Sequence, residues 1–220
     1  MTGKRRAPAI TQAWKQAGLP LVAALSFAMP PAWADFDQAA AAFDKGDYTA
    51  ALKELKPLAD KGDPRSQYAM GVMAENGFGM PKNLAQAASW YRKAAEQGNT
   101  DAQYNLGAMY EHGIGMPINY AQAARWYRPA AEAGDIDALS NLGVLYETGR
   151  GVPEDKVLAL TLYNVSTALD PNKASTAAGN RQGLANRMPL DDVKKALALT
   201  EQWLKPGQLK PGLEAYLRKR

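Results

Sequence analysis

Gly71, Gly107, Gly143 and Gly179 stand 36 residues apart, and they do not keep step alone. Pro81, Pro117, Pro153 and Pro189 share the interval, as do the residues before them, Met80, Met116, Val152 and Met188. Gly77, Gly113 and Gly149 follow it, and so do Gly79, Gly115 and Gly151. Trp90-Tyr91 returns as Trp126-Tyr127 and then as Leu162-Tyr163. So many independent positions in one register make an internal repeat. A repeat of this length folds as stacked like units, each burying its apolar face on the next.

Each unit reads as two helices. The first, around Ala102 to Glu111, sets Ala102, Leu106, Met109 and Tyr110 on one face at helical spacing. Gly107 lies beside that stripe, where glycine costs about 1 kcal/mol against alanine. Its recurrence therefore predicts a neighbouring helix too close for a side chain. Gly113-Ile114-Gly115-Met116-Pro117 breaks the helix. The second runs from near Asn119 to Ala133, with Ala123, Trp126, Tyr127, Ala130 and Ala131 as its buried stripe, and Gly134-Asp135 closes it. Pro57 and Pro129, two periods apart, fall inside second helices and should bend them.

The pattern Ala-x3-Leu-Gly-x2-Tyr, Gly-x-Gly-x-Pro, Ala-x2-Trp-Tyr-x2-Ala-Ala-x2-Gly resembles the Sel-one-like repeat, a longer relative of the tetratricopeptide repeat. The resemblance implies an all-α fold, a right-handed α-solenoid of helix-turn-helix units with a 36-residue period. Three units fit, 64–99, 100–135 and 136–171. Residues 35–63 keep a second-helix pattern after a tight Lys45-Gly46-Asp47 turn and read as an N-terminal cap. Residues 172–204 keep Gly179 and Met188-Pro189 but lose the loop glycines, and read as a degenerate C-terminal cap.

Charge divides the chain further. Residues 1–34 hold four basic side chains and no acid, so the whole formal charge of +4 sits there. Lys4-Arg5-Arg6, an apolar run from Leu19 to Met29 and Ala32-Trp33-Ala34 make the three-part layout of a signal peptide. The expectation is export, to the periplasm or beyond, after cleavage near Ala34, with no membrane span and no affinity for nucleic acid. In the remainder, 35–204 carries −4 and 205–220 carries +4. The last sixteen residues, with Lys205-Pro206-Gly207 echoed by Lys210-Pro211-Gly212, read as a solvated, partly disordered tail. The alternative is a basic hook that meets an anionic surface or the acidic repeats.

Chemistry-bearing patterns are missing. With no Cys and one His, cysteine nucleophiles and two-histidine metal sites are excluded. No Gly-x-Ser-x-Gly, Ser-x-x-Lys or phosphate-binding glycine motif occurs. Acid pairs such as Asp135/Asp137 and Asp191/Asp192 read as helix N-terminal charges. The reading is a non-enzymatic protein without cofactor, an adaptor of the cell envelope that binds a protein or peptide. The rival readings are an envelope hydrolase and a peptidoglycan or carbohydrate binder with Trp90 and Trp126 as its stacking candidates. By likeness to tetratricopeptide arrays, the helix-A surface lines a concave groove. That carries partner contacts to Arg65, Tyr68 and Glu75, then to Asp101, Tyr104, Asn105, Glu111 and His112, and then to Asn141 and Glu147. Glu75, Glu111 and Glu147 would form an acidic row, favouring a partner with Lys or Arg.

Overall fold

The computed structural model describes residues 31–170 and 176–219, which form eleven α-helices and no strand. The expected leader lies outside the described residues except for 31–34, which open α1 (Pro31–Asp44). The chain divides into two compact units, 1–93 and 94–220, with the boundary inside α4.

The first unit holds α1, α2 (Tyr48–Asp60), α3 (Pro64–Asn76) and α4 (Leu84–Glu96) up to that boundary. Short polar side chains start these helices: Asp47, Asp63 and Asn83 accept the N–H of Ala50, Ser66 and Gln86. Each thereby satisfies one of the donors a helix leaves open at its start. The core gathers Phe36, Leu55, Met70 and Met73, with Trp90 buried against them. Buried Gln67 ties α3 back to α2 by donating to the Ala59 carbonyl at 3.2 Å.

The second unit repeats the plan with α5 (Thr100–His112), α6 (Tyr120–Glu132), α7 (Ile136–Thr148) and α8 (Lys156–Leu169). Asn99, Asn119, Asp135 and Asp155 are their caps. The shorter α9 (Ala177–Ala185) and then α10 (Leu190–Trp203) pack on α8, and α11 (Leu209–Leu217) ends the chain. Leu106, Tyr127, Leu139, Leu142, Leu145, Leu158 and Leu162 are buried in the main core. Tyr110 and Trp126, expected in the stripes, are only half-buried. Pro57 and Pro129 lie inside α2 and α6, near each helix's end.

The expected close approach is real, and its partner is a tyrosine of the second helix in the same repeat. A Cβ on Gly71 would stand 2.5 Å from the Tyr91 ring, on Gly107 2.6 Å from Tyr127, and on Gly143 2.7 Å from Tyr163. Gly179 is in register but meets no atom within 4 Å, because Leu199 holds the tyrosine slot and α9 is short. Its spacing therefore overstates its role. The loop glycines have two functions. Gly113 and Gly149 cap α5 and α7 at φ +68° and +65°. Gly151 instead presses on the Tyr120–Ala121 backbone of the preceding repeat, as Gly79 does on the Tyr48 carbonyl.

The last residues correct the expectation of a solvated tail. Pro211 falls in the first turn of α11, where the missing N–H costs nothing. Gly212 lets the helix close on the Trp203 ring, Leu213 is fully buried, and the Tyr216 hydroxyl donates to Asp155 at 3.1 Å. The hook reading comes nearer, but apolar and phenolic groups hold it. Arg218 pairs within α11, with Glu214.

Two glycines of identical sequence spacing should respond in opposite ways. Gly107→Ala is expected to lower stability by about 1–3 kcal/mol through overpacking. Gly179→Ala is expected to leave stability unchanged or raise it by up to about 1 kcal/mol, from helix propensity. Urea unfolding of the two variants beside the parent measures both.

Candidate functional site

The face opposite the buried stripe is built from side chains that the second helix holds in place. In the first unit, the Tyr91 hydroxyl donates to Glu75 Oε2 at 2.7 Å, and the Tyr68 ring lies 5.7 Å from the Tyr91 ring. Tyr68 is buried, as is Val72 one turn on. Arg65 turns toward the N-terminal helix, with its guanidinium 4.2 Å over the Phe36 ring and 3.4 Å from Asp63.

The second unit shows the arrangement twice. Tyr127 donates to Glu111 Oε2 at 2.7 Å and accepts from Asn141 Nδ2 at 3.2 Å, and Tyr104 packs its ring 5.9 Å away. Tyr163 donates to Glu147 Oε2 at 2.7 Å, and here Ser140 replaces the tyrosine, its hydroxyl 3.4 Å from Thr176. The glutamates are well sheltered, with side-chain exposures of 13% at Glu111 and 18% at Glu147. Glu147 Oε1 accepts a second bond from Arg187 Nη2 at 2.7 Å. Asp101 and Asn105 are half-buried on the same helix, and His112 is exposed, its Nε2 4.0 Å from Glu111.

In the second unit each carboxylate is thus gripped by a phenol that stays protonated. Burial first, and then the Glu111 charge, pushes the Tyr127 hydroxyl far above its ordinary 10.0. Burial and the hydrogen bond to Glu147 do the same to Tyr163. Such a donor fixes one carboxylate oxygen and leaves the second available, as Arg187 uses it at Glu147.

The second unit also holds features that sequence reasoning missed. An open cavity of about 690 Å³ lies among Asp155, Val157, Asp192, Lys195, Leu199 and Tyr216. Its carboxylates are engaged: Asp155 caps α8 and takes the Tyr216 hydroxyl, Asp192 pairs with Lys195 at 2.8 Å, and Glu154 pairs with Lys156 at 3.0 Å. Of the two stacking candidates, Trp90 is buried beneath the Lys93 ammonium and Trp126 is half-buried. No helix among the described residues is long and apolar enough to cross a membrane. The signal that could have found the phenol–carboxylate pairs was present: Glu75, Glu111 and Glu147 precede Tyr91, Tyr127 and Tyr163 by a constant 16 residues.

Comparison with known proteins agrees with this architecture. A family model for the Sel1 repeat matches residues 64–99, 100–135 and 136–170. Among solved structures, a Sel1 repeat protein from Oxalobacter formigenes is 29% identical, with a TM-score of 0.63 over 76% of this chain and 70% of its own. The c5321 protein, a protective antigen of uropathogenic Escherichia coli strains with an SLR fold, is 27% identical with a TM-score of 0.70. That alignment covers 85% of this chain and 40% of the antigen. No curated protein matches the sequence.

Tyr127→Phe removes the hydroxyl that, among the described residues, holds Glu111, and it strands a sheltered carboxylate. It is expected to cost about 1–3 kcal/mol in denaturant unfolding. The raised phenols also fix a pH dependence. The folded chain keeps protons that the unfolded chain loses near pH 10, so their contribution is complete below pH 10 and falls as the pH rises above it. Unfolding free energies measured from pH 8 to strongly alkaline pH should show that decline. The decline should be shallower in a Tyr127→Phe/Tyr163→Phe variant.

Proposed function

Since the chain belongs to the Sel1-repeat family, whose repeats serve as protein-interaction modules, we propose that it is a non-catalytic adaptor of the cell envelope, binding a protein or peptide along the first-helix face of its repeats. The observation that carries this reading is Glu111. A carboxylate mostly withdrawn from water, fixed through one oxygen, has no partner for the other among the described residues. That second oxygen is not a buried one, so a donor from a partner can reach it. In the same repeat, Tyr104 offers an aromatic surface beside it and His112 an exposed donor at the rim.

The features of the leader support export, with the working chain beginning after Ala34. Loss of the leader removes the chain's entire net charge and, with it, the only ground for expecting nucleic acid as a partner. The carboxylates lining the 690 Å³ cavity serve helix capping and ion pairing, which favours the adaptor reading over the hydrolase alternative.

A photocrosslinking residue placed at His112, and separately at the exposed Arg125 on α6, tests the assignment in the cells that make the protein. Adducts with a second protein are expected from position 112 and not from 125. Adducts from 125 alone, or none from 112, would move the site elsewhere.

A further inference from the structure

The third Sel1 repeat shows what the second one lacks. Glu111 and Glu147 are equivalent positions, each held by a tyrosine hydroxyl on Oε2 at 2.7 Å. Only at Glu147 is the outward oxygen taken, by the Arg187 guanidinium at 2.7 Å. Arg187 occupies the register position of the second loop glycine, following Gly79, Gly115 and Gly151. It stands in the degenerate unit, just past the end of α9, and its side chain is 68% exposed. Its guanidinium is engaged with the carboxylate while most of the side chain stays in solvent.

We infer that Arg187 is an internal stand-in for the ligand: it fills the last phenol-held carboxylate, and Glu111 takes an arginine of the partner in the same way. The inference rests on reading this face as the binding surface, and it names the recognised chemistry, a guanidinium on an accessible peptide segment. Arginine suits the role because it stays charged and is less strongly hydrated than lysine, so it enters a sheltered site at lower cost. An ion pair with one member so exposed is weak and easily exchanged. A partner carrying two arginines can therefore displace Arg187 and engage both carboxylates. Arg187 then sets where the recognised segment ends and lowers affinity for longer basic stretches.

The test uses the purified full chain and a fluorescein-labelled hexa-arginine peptide, read by anisotropy at physiological ionic strength, where long-range attraction is screened. The parent should bind. Glu111→Gln keeps the acceptor for Tyr127 and removes only the charge, and it should weaken binding about tenfold or more. Arg187→Ala should tighten binding several-fold, and adding Glu147→Gln to it should return the affinity to the parent's level or below. If Glu111→Gln weakens binding but Arg187→Ala leaves it unchanged, the stand-in role is overturned while the binding face survives. If the parent fails to bind hexa-arginine although position 112 still crosslinks a partner, the guanidinium preference is wrong and the adaptor reading stands. If both fail, the face itself is not the site.

Discussion

A tyrosine ring resting on a glycine is the contact from which the repeats are organised. Gly71, Gly107 and Gly143 give up a side chain so that Tyr91, Tyr127 and Tyr163 can lie flat against the first helix. Glycine in mid-helix is unfavourable by about 1 kcal/mol, a deficit that burial of a whole aromatic ring more than offsets. Once the ring is seated, its hydroxyl must emerge near the far side of the first helix. One turn beyond the glycine stands the glutamate that receives it. Packing and surface chemistry are therefore coupled: the contact that locks two helices together also fixes the oxygen a partner would meet.

The framework around this contact comes from small polar residues and backbone freedom rather than from large side chains. Asx side chains start nearly every repeat helix, and αL glycines end the first helix of each unit. Where these signals fade, the fold changes character. The final unit lacks the loop glycines and the tyrosine, its first helix shrinks to nine residues, and α11 supplies Leu213 to complete the core. That last helix packs back on α10 and α6.

Periodicity made most of the architecture legible. The two-helix unit, its boundaries within a residue or two, the close approach at Gly107 and the glycine turns all follow from the 36-residue register, since each needs a particular residue type at one place. Legibility failed where one residue type serves different physical ends. Gly179 keeps the register but meets nothing, because the tyrosine that would rest on it is Leu199. Gly212 and Pro211 look like helix breakers, yet one admits Trp203 and the other sits in a first turn. On the candidate face, Glu111 and Tyr104 were visible as surface residues. The tyrosine grip behind Glu111 left only a constant 16-residue spacing in the sequence, because it joins two helices whose facing surfaces the packed structure brings together. Arg65 shows the converse, a charge assigned outward that turns to the Phe36 ring.

The second loop glycine has a consequence for how such a chain can change length. Gly151 presses on the start of the preceding repeat's second helix at Tyr120 and Ala121, and Gly79 on Tyr48 in the same way. The third repeat thus carries one half of a joint whose other half belongs to the second, and the first repeat one half of a joint with the N-terminal cap. A unit gained or lost whole leaves such a joint intact, wherever in the period the cut is made. A gain or loss of any other length breaks one. Gene duplication and deletion in multiples of the full period would therefore pass through this fold almost silently. The array can in this way lengthen or shorten while these joints keep their geometry.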